Sequence, residues 1–178
     1  MIWRCISMII ARPQPGEAAP YYFKYIDQVG PTGIVETLRS QLEEFGVFSS
    51  RIAEEQSLHR YASGKWSIRE VLGHINDTER VFTFRALWFA RGFETSLPSF
   101  EQDLAVMHAE ADRFPWRQHV EEFLHVRRGT IALFENMPRE AWARRGIASE
   151  NPFTVRALAF VVAGHFAHHM RILSERYL

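Results

Sequence analysis

Residues 164–171 read Gly164-His165-Phe166-Ala167-His168-His169-Met170-Arg171 and lie near the C-terminus inside an apolar run. His165 and His169 are four residues apart, which on a helix places them one turn apart on the same face, about 6 Å between Cβ atoms. At 100° per residue, Leu158, Val162, His165, His169 and Ile172 share one face, with Val155, Val161 and Leu173 on its flanks. The histidines thus sit in the middle of the stripe that the helix must bury. Two buried imidazoles need partners for both ring nitrogens. They either bond to polar groups on facing helices or grip a metal ion together. The spacing is not that of a zincin, which carries Glu directly after the first His; Phe166 stands there.

Working outward, the chain reads as four long amphipathic helices. The fourth begins at Thr154, an N-cap preceded by Asn151-Pro152-Phe153, and runs almost to Leu178. The second has the clearest start: Ser67 and Glu70 form a capping box, with Trp66 as the apolar residue before the cap. It is predicted over Ile68 to Ala90, ending before Gly92, with Val71, Ile75, Phe82 and Phe89 buried. His74 borders that stripe, with Asp77, Thr78 and Val81 nearby and Arg85 in line with it three turns on. Trp88 and Phe89 read as core. The first helix is predicted from about Pro31 to Ile52 on the stripe Ile34, Leu38, Leu42, Phe45 and Phe48 or Ser49. The third is predicted from Trp116 to Glu135, with Val120, Phe123, Leu124, Ile131 and Phe134 apolar and His119 and His125 partly exposed. His59 falls in the 53–65 connection as a surface residue, and residues 139–144 form one further turn.

Residues 92–115 are long for a helix–helix connection and hold a short helix near Gln102 to Glu110. Such a crossover lets the second and third helices run parallel. Residues 11–31 are rich in Pro and Gly and read as an extended lead-in, anchored by Tyr21, Tyr22, Phe23, Tyr25 and Ile26. The organisation expected is an N-terminal extension over 1–20 and a single bundle domain over 21–178. Met1 to Ile10 is apolar but interrupted by Arg4, and no small-residue cleavage site follows it, so it does not read as a signal peptide; Met8 is a second candidate start.

A composition of 47% hydrophobic and 24% charged residues is that of an ordinary soluble protein, and a formal net charge of zero gives no basic footprint for nucleic acid. No run reaches the roughly 18 apolar residues of a membrane span. The single cysteine, Cys5, excludes an intramolecular disulfide and a Cys-based zinc site, and has no partner motif that would make it a nucleophile. Nothing calls for an oxidising compartment, and a cytoplasmic location is expected. If His74 meets the fourth-helix pair, three imidazoles with positions left open suit a catalytic divalent site, and zinc, nickel or iron would accept them.

Trp66-Ser67-Ile68-Arg69-Glu70-Val71-Leu72-Gly73-His74-Ile75, followed by Asp77-Thr78-Glu79-Arg80 and Arg85, resembles the second-helix motif of the DinB-like superfamily. Gly164 to His169 resembles its fourth-helix motif. The resemblance covers most of the chain from about Tyr21. It implies an all-α four-helix bundle of up-down-down-up topology, often a homodimer, with a divalent ion held by His74, His165 and His169. It also implies thiol-dependent transfer, using a low-molecular-weight thiol such as bacillithiol or mycothiol, or metal-dependent hydrolysis of a small molecule. Within that frame Asp77 and His168 are expected to orient ligand imidazoles, and Arg85 to hold an anionic substrate group. Two other readings use the same residues: a metal-dependent binding or stress-response protein without turnover, and a bundle in which metal only staples the core.

Overall fold

The computed structural model describes residues 10–178, so Cys5 and Met8 lie outside the described residues. A 3-10 turn over Pro20–Tyr22 leads into a single helical turn, α1 (Phe23–Ile26). The long helix α2 (Ile34–Ser49) follows, then α3 (Ile68–Ala90), the short α4 (Gln102–Ala109) and α5 (Trp116–Glu135). A 3-10 turn over Arg139–Ala143 leads to a two-stranded antiparallel hairpin, β1 (Arg145–Ala148) and β2 (Asn151–Thr154), and the chain ends in α6 (Val155–Arg176). The four long helices form an up-down-down-up bundle. Both α2 and α3 pack on α5 and α6, and the crossover through α4 carries the chain from α3 to α5.

Helix ends follow local chemistry. Ser67 Oγ accepts from Glu70 N at 3.0 Å and Glu70 Oε2 accepts from Ser67 N at 2.8 Å, so two otherwise unpaired donors are satisfied reciprocally. Ser67 Oγ also donates to Asp112 at 2.5 Å, which ties the crossover to the start of α3. Thr154 Oγ1 caps α6 by accepting from Ala157 N at 3.1 Å.

Two segments depart from the sequence reading. Residues 20–26 are helical, not extended, and α1 lies directly on α6. Gly164 permits this: a Cβ there would stand 2.0 Å from the Tyr25 carbonyl oxygen, so only a glycine lets the two backbones meet. The second departure is the hairpin, read from sequence as a plain lead-in. It is held from outside as well as within, since Leu97 N donates to Ile147 O at 2.9 Å and Ser149 N to Leu97 O at 3.1 Å. Its two turn residues, Ser149 and Glu150, both have positive φ (50° and 61°) without the Asn-Gly pair that usually marks such turns. Before the first turn, Glu17 is buried and accepts from Thr154 Oγ1 at 2.9 Å and from the Arg156 guanidinium.

At the centre of the bundle a charge pair occupies apolar positions. Arg127 on α5 is wholly buried and Glu79 on α3 is 3% exposed. Arg127 Nε and Nη2 donate to the carboxylate at 2.8–3.1 Å, and Nη1 donates to Gln41 Oε1 on α2 at 2.7 Å. Gln41 Nε2 in turn donates to Ala163 O on α6 at 2.9 Å. The guanidinium carbon sits 5.1 Å from the Phe123 ring centre and 4.7 Å from that of Phe166. One side-chain network therefore joins all four long helices. Removing one member of such a pair strands the other charge in the core, at a cost of about 3–5 kcal/mol, whereas replacing both with apolar groups can be close to neutral. Arg127→Met is expected to lower unfolding stability by about that amount, and Glu79→Leu/Arg127→Met to recover most of it. Urea unfolding of the three proteins measures both changes.

Candidate metal centre

Three of the predicted residues come together. His74 from α3 and His165 and His169 from α6 bring one ring nitrogen each to within 4.8 Å of one another. His165 Nε2 is the hub, 3.1 Å from His74 Nε2 and 3.1 Å from His169 Nε2. His74 and His165 are 3% and 5% exposed, and His169 is half-buried. The capped start of α3 places His74 two turns in, beside the Trp66 indole, whose centre is 5.0 Å from the His74 ring. The contact of α1 at Gly164 places the Tyr25 ring 5.3 Å from His165, covering it.

The donor set fits a divalent cation better than it fits protons. His74 Nδ1 lies 3.3 Å from Thr78 Oγ1, and with Nδ1 protonated the lone pair of Nε2 faces the cluster. His165 Nε2 carries either one proton or one lone pair, so with the His74 lone pair facing it protons alone leave at least one of its two close contacts without a hydrogen bond. Imidazole nitrogens bind zinc at about 2.0–2.1 Å, so nitrogens little more than 3 Å apart can share one ion. Desolvation also keeps the imidazoles neutral. It pushes His74 down to about 4 and His169 down to about 3, the latter with help from the charges of neighbouring histidines. His165 is held well below its ordinary value, first by burial and then by His169 and His74.

The supporting residues are not the expected ones. Asp77 does not meet His74: it pairs with Arg80 at 3.7 Å and lines a separate groove with His119 and Glu122. Burial raises its pKa, opposed by Arg80. Thr78, one residue on, takes the place beside His74 instead, because a helical side chain leans back over the residue four before it. His168 is half-buried against Tyr25, with ring centres 5.5 Å apart, and makes no hydrogen bond to a ligand imidazole among the described residues. Its pKa is lowered by burial and then by Arg171. His119, expected to be partly exposed, is buried, and its Nε2 meets Ala111 O at 2.9 Å. That partner comes from the crossover, which sequence periodicity cannot place.

Beside the histidines opens a cavity of about 350 Å³. His74 and His165 form one end of its wall, together with Thr78 and Phe82, and Arg85 lines it as well. Asp103 from α4 and Ser149 from the hairpin turn also line it, and sequence reading singled out neither. Ser149 carried no sequence signal, since the hairpin itself was unseen. Asp103 lies in the predicted crossover helix, but nothing in its spacing ties it to His74.

The depressed imidazoles make the metal-free fold sensitive to acid. Above the ordinary histidine value of 6.5 both folded and unfolded chains hold these rings neutral, and the stability is complete. Below it the unfolded chain takes up protons that the folded site refuses until about pH 4 for His74 and 3 for His169. Stability of protein stripped with a chelator is therefore expected to fall from pH 6.5 to 4, by up to about 1.4 kcal/mol per pH unit for each imidazole. His165→Gln should shallow that slope by about one such increment. Urea midpoints across the pH range test both.

A sequence profile of the DinB superfamily matches residues 36–173. Comparison with curated protein sequences finds no match. Among solved structures the fold is similar to that of YfiT from Bacillus subtilis, described as a probable metal-dependent hydrolase with an unusual four-helix bundle topology. The identity is 14%, the TM-score is 0.68, and the match covers 93% of this chain and 90% of that one. The profile match spans both histidine-bearing helices and most of the chain between the ends, and by it the chain belongs to the DinB superfamily.

Proposed function

We propose that this chain is a divalent-metal-dependent enzyme that acts on a small molecule, either by hydrolysis or by transfer to a low-molecular-weight thiol. The observation that carries the reading is the set of three converging imidazoles at the wall of a cavity, with no Cys, Asp or Glu completing the group among the described residues. A closed structural site would take a fourth protein ligand, whereas an open one leaves room for a reactant. His74, His165 and His169 would hold the ion. Zinc, nickel and iron all suit such a donor set. A bound ion would supply Lewis acidity, which makes a water or a thiol nucleophilic at neutral pH.

The remaining chemistry falls to the chain's own groups. Thr78 fixes the ring of His74 by engaging Nδ1. Tyr25 and Phe82 flank His165, with ring centres 5.3 and 6.2 Å away, and exclude bulk water from that side. Asp103 carries a carboxylate into the same cavity close enough to act electrostatically on His74. The likeness to YfiT supports the hydrolytic version; the family resemblance supports both.

The test is metal content by mass spectrometry on untagged protein, alongside turnover in ester-hydrolysis and thiol-transfer screens. Wild type is expected to hold close to one ion per chain, and His165→Ala to lose it together with at least a hundredfold in turnover. Equal turnover in the two proteins would sink the proposal for those reactions. Metal and ligand binding without any product would favour the non-catalytic reading.

A further inference from the structure

Three arginines are buried in the described chain: Arg69, Arg85 and Arg127. Two of them face a carboxylate, Arg69 that of Glu54 at 2.5 Å and Arg127 that of Glu79 at 2.8 Å. Arg85 does not. It is 4% exposed, and among the described residues no acidic group lies within ion-pair distance. Its hydrogen bonds both come from Nη2, to Pro98 O at 2.9 Å and Ser149 Oγ at 2.8 Å, and its other polar neighbour is the Tyr22 hydroxyl. A guanidinium removed from water without a counter-charge is costly to keep. This one lines the cavity that also holds His74 and His165.

The hairpin adds a second, independent observation. Ser149 has a φ of 50° and Glu150 of 61°, a left-handed turn with no glycine in it. Side chains at such positions cost stability and persist where the surroundings impose them, often at functional sites. At Ser149 the side chain gives its hydroxyl to the same cavity, hydrogen-bonded to Arg85. Glycine would suit the backbone better but would remove that group.

We propose that Arg85 and Ser149 form a subsite for the carboxylate of the substrate, whose reacting group then lies against the three histidines. This rests on the reading of the histidine cluster as the reacting centre. Phe82 sets the span: its ring centre is 5.8 Å from the Arg85 guanidinium carbon and 6.2 Å from the His165 ring, so the two are at most about 12 Å apart. The substrate is therefore a short molecule with an acid at one end. A single negative charge fits better than two. One guanidinium matches one negative charge, and the second charge of a phosphate dianion would be left facing Glu101 and Asp103, which line the same cavity.

The experiment measures binding of 4-phenylbutyrate, its neutral amide and phenyl phosphate to the full chain by calorimetry, as purified and after chelator treatment. Wild type is expected to prefer the acid over the amide at least tenfold, before and after metal removal. Arg85→Gln should bring the two within twofold. Ser149→Gly should weaken the acid about threefold while melting no lower than wild type, which keeps the test open if Arg85→Gln does not fold. The proposal is overturned by an absent preference in wild type, or by an undiminished one in Arg85→Gln or, where that variant does not fold, in Ser149→Gly. A preference that vanishes with the metal overturns it too, because the carboxylate then sits on the ion. Tighter binding of phenyl phosphate overturns the choice of carboxylate. Loss of metal in His165→Ala with the acid preference intact would separate this subsite from the metal centre, so either can fail alone.

Discussion

The guanidinium of Arg127 is the fixed point of this bundle. It is wholly buried, and its charge is met by Glu79 on α3 and Gln41 on α2 between the rings of Phe123 and Phe166. A buried pair of this kind is weak support for stability but strict about geometry, since a helix that slides by one turn leaves a charge unmet. We read it as a register device. Glu79 lies five residues beyond His74, and Phe166 directly follows His165. The network that aligns α3 with α6 therefore also sets the two helices at the height where their imidazoles meet. The imidazole cluster needs that alignment, because a shift of a few ångströms would take His74 out of reach.

Above that fixed point the site is assembled by close approaches. Gly164 admits the backbone of Tyr25, which brings an aromatic lid to His165. Gly146 does the same for Phe89, whose ring would be 2.0 Å from a Cβ at that position. Each contact joins a connecting segment to a long helix, so the segments between helices are held as firmly as the helices themselves at these points.

Much of this was legible in the sequence because it is local. The capping box at Ser67 and Glu70, the stripes on the four helices and the short crossover helix follow from spacing alone, and the structure places them within a few residues of expectation. The histidine stripe on α6 was legible for the same reason. Long-range partners were not. Glu79 and Arg127 do interrupt the stripes Val71–Ile75–Phe82 and Phe123–Ile131, which marks each as anomalous, but nothing in either helix says that they meet. The choice of Thr78 over Asp77 depends on how side chains lean, not on which face they share. The hairpin escaped because its strands have four residues each, its turn lacks the usual glycine, and β2 contains Pro152.

The turn at Ser149 and Glu150 divides the molecule into parts with different freedoms. The imidazoles stand on the inward faces of α3 and α6, two long helices that pack on each other, so few substitutions on those faces are neutral. Of the groups that line the rest of the cavity, Thr78, Val81, Phe82 and Arg85 share α3 with His74, whereas Gln102 and Asp103 stand on α4 and Ser149 on a two-residue turn already in an unfavourable backbone conformation. Exchanging a residue in that turn disturbs no helix and can even relieve strain. On the proposed reading, Ser149 and the α4 residues are where the cavity can change without touching the helix that carries both His74 and Arg85.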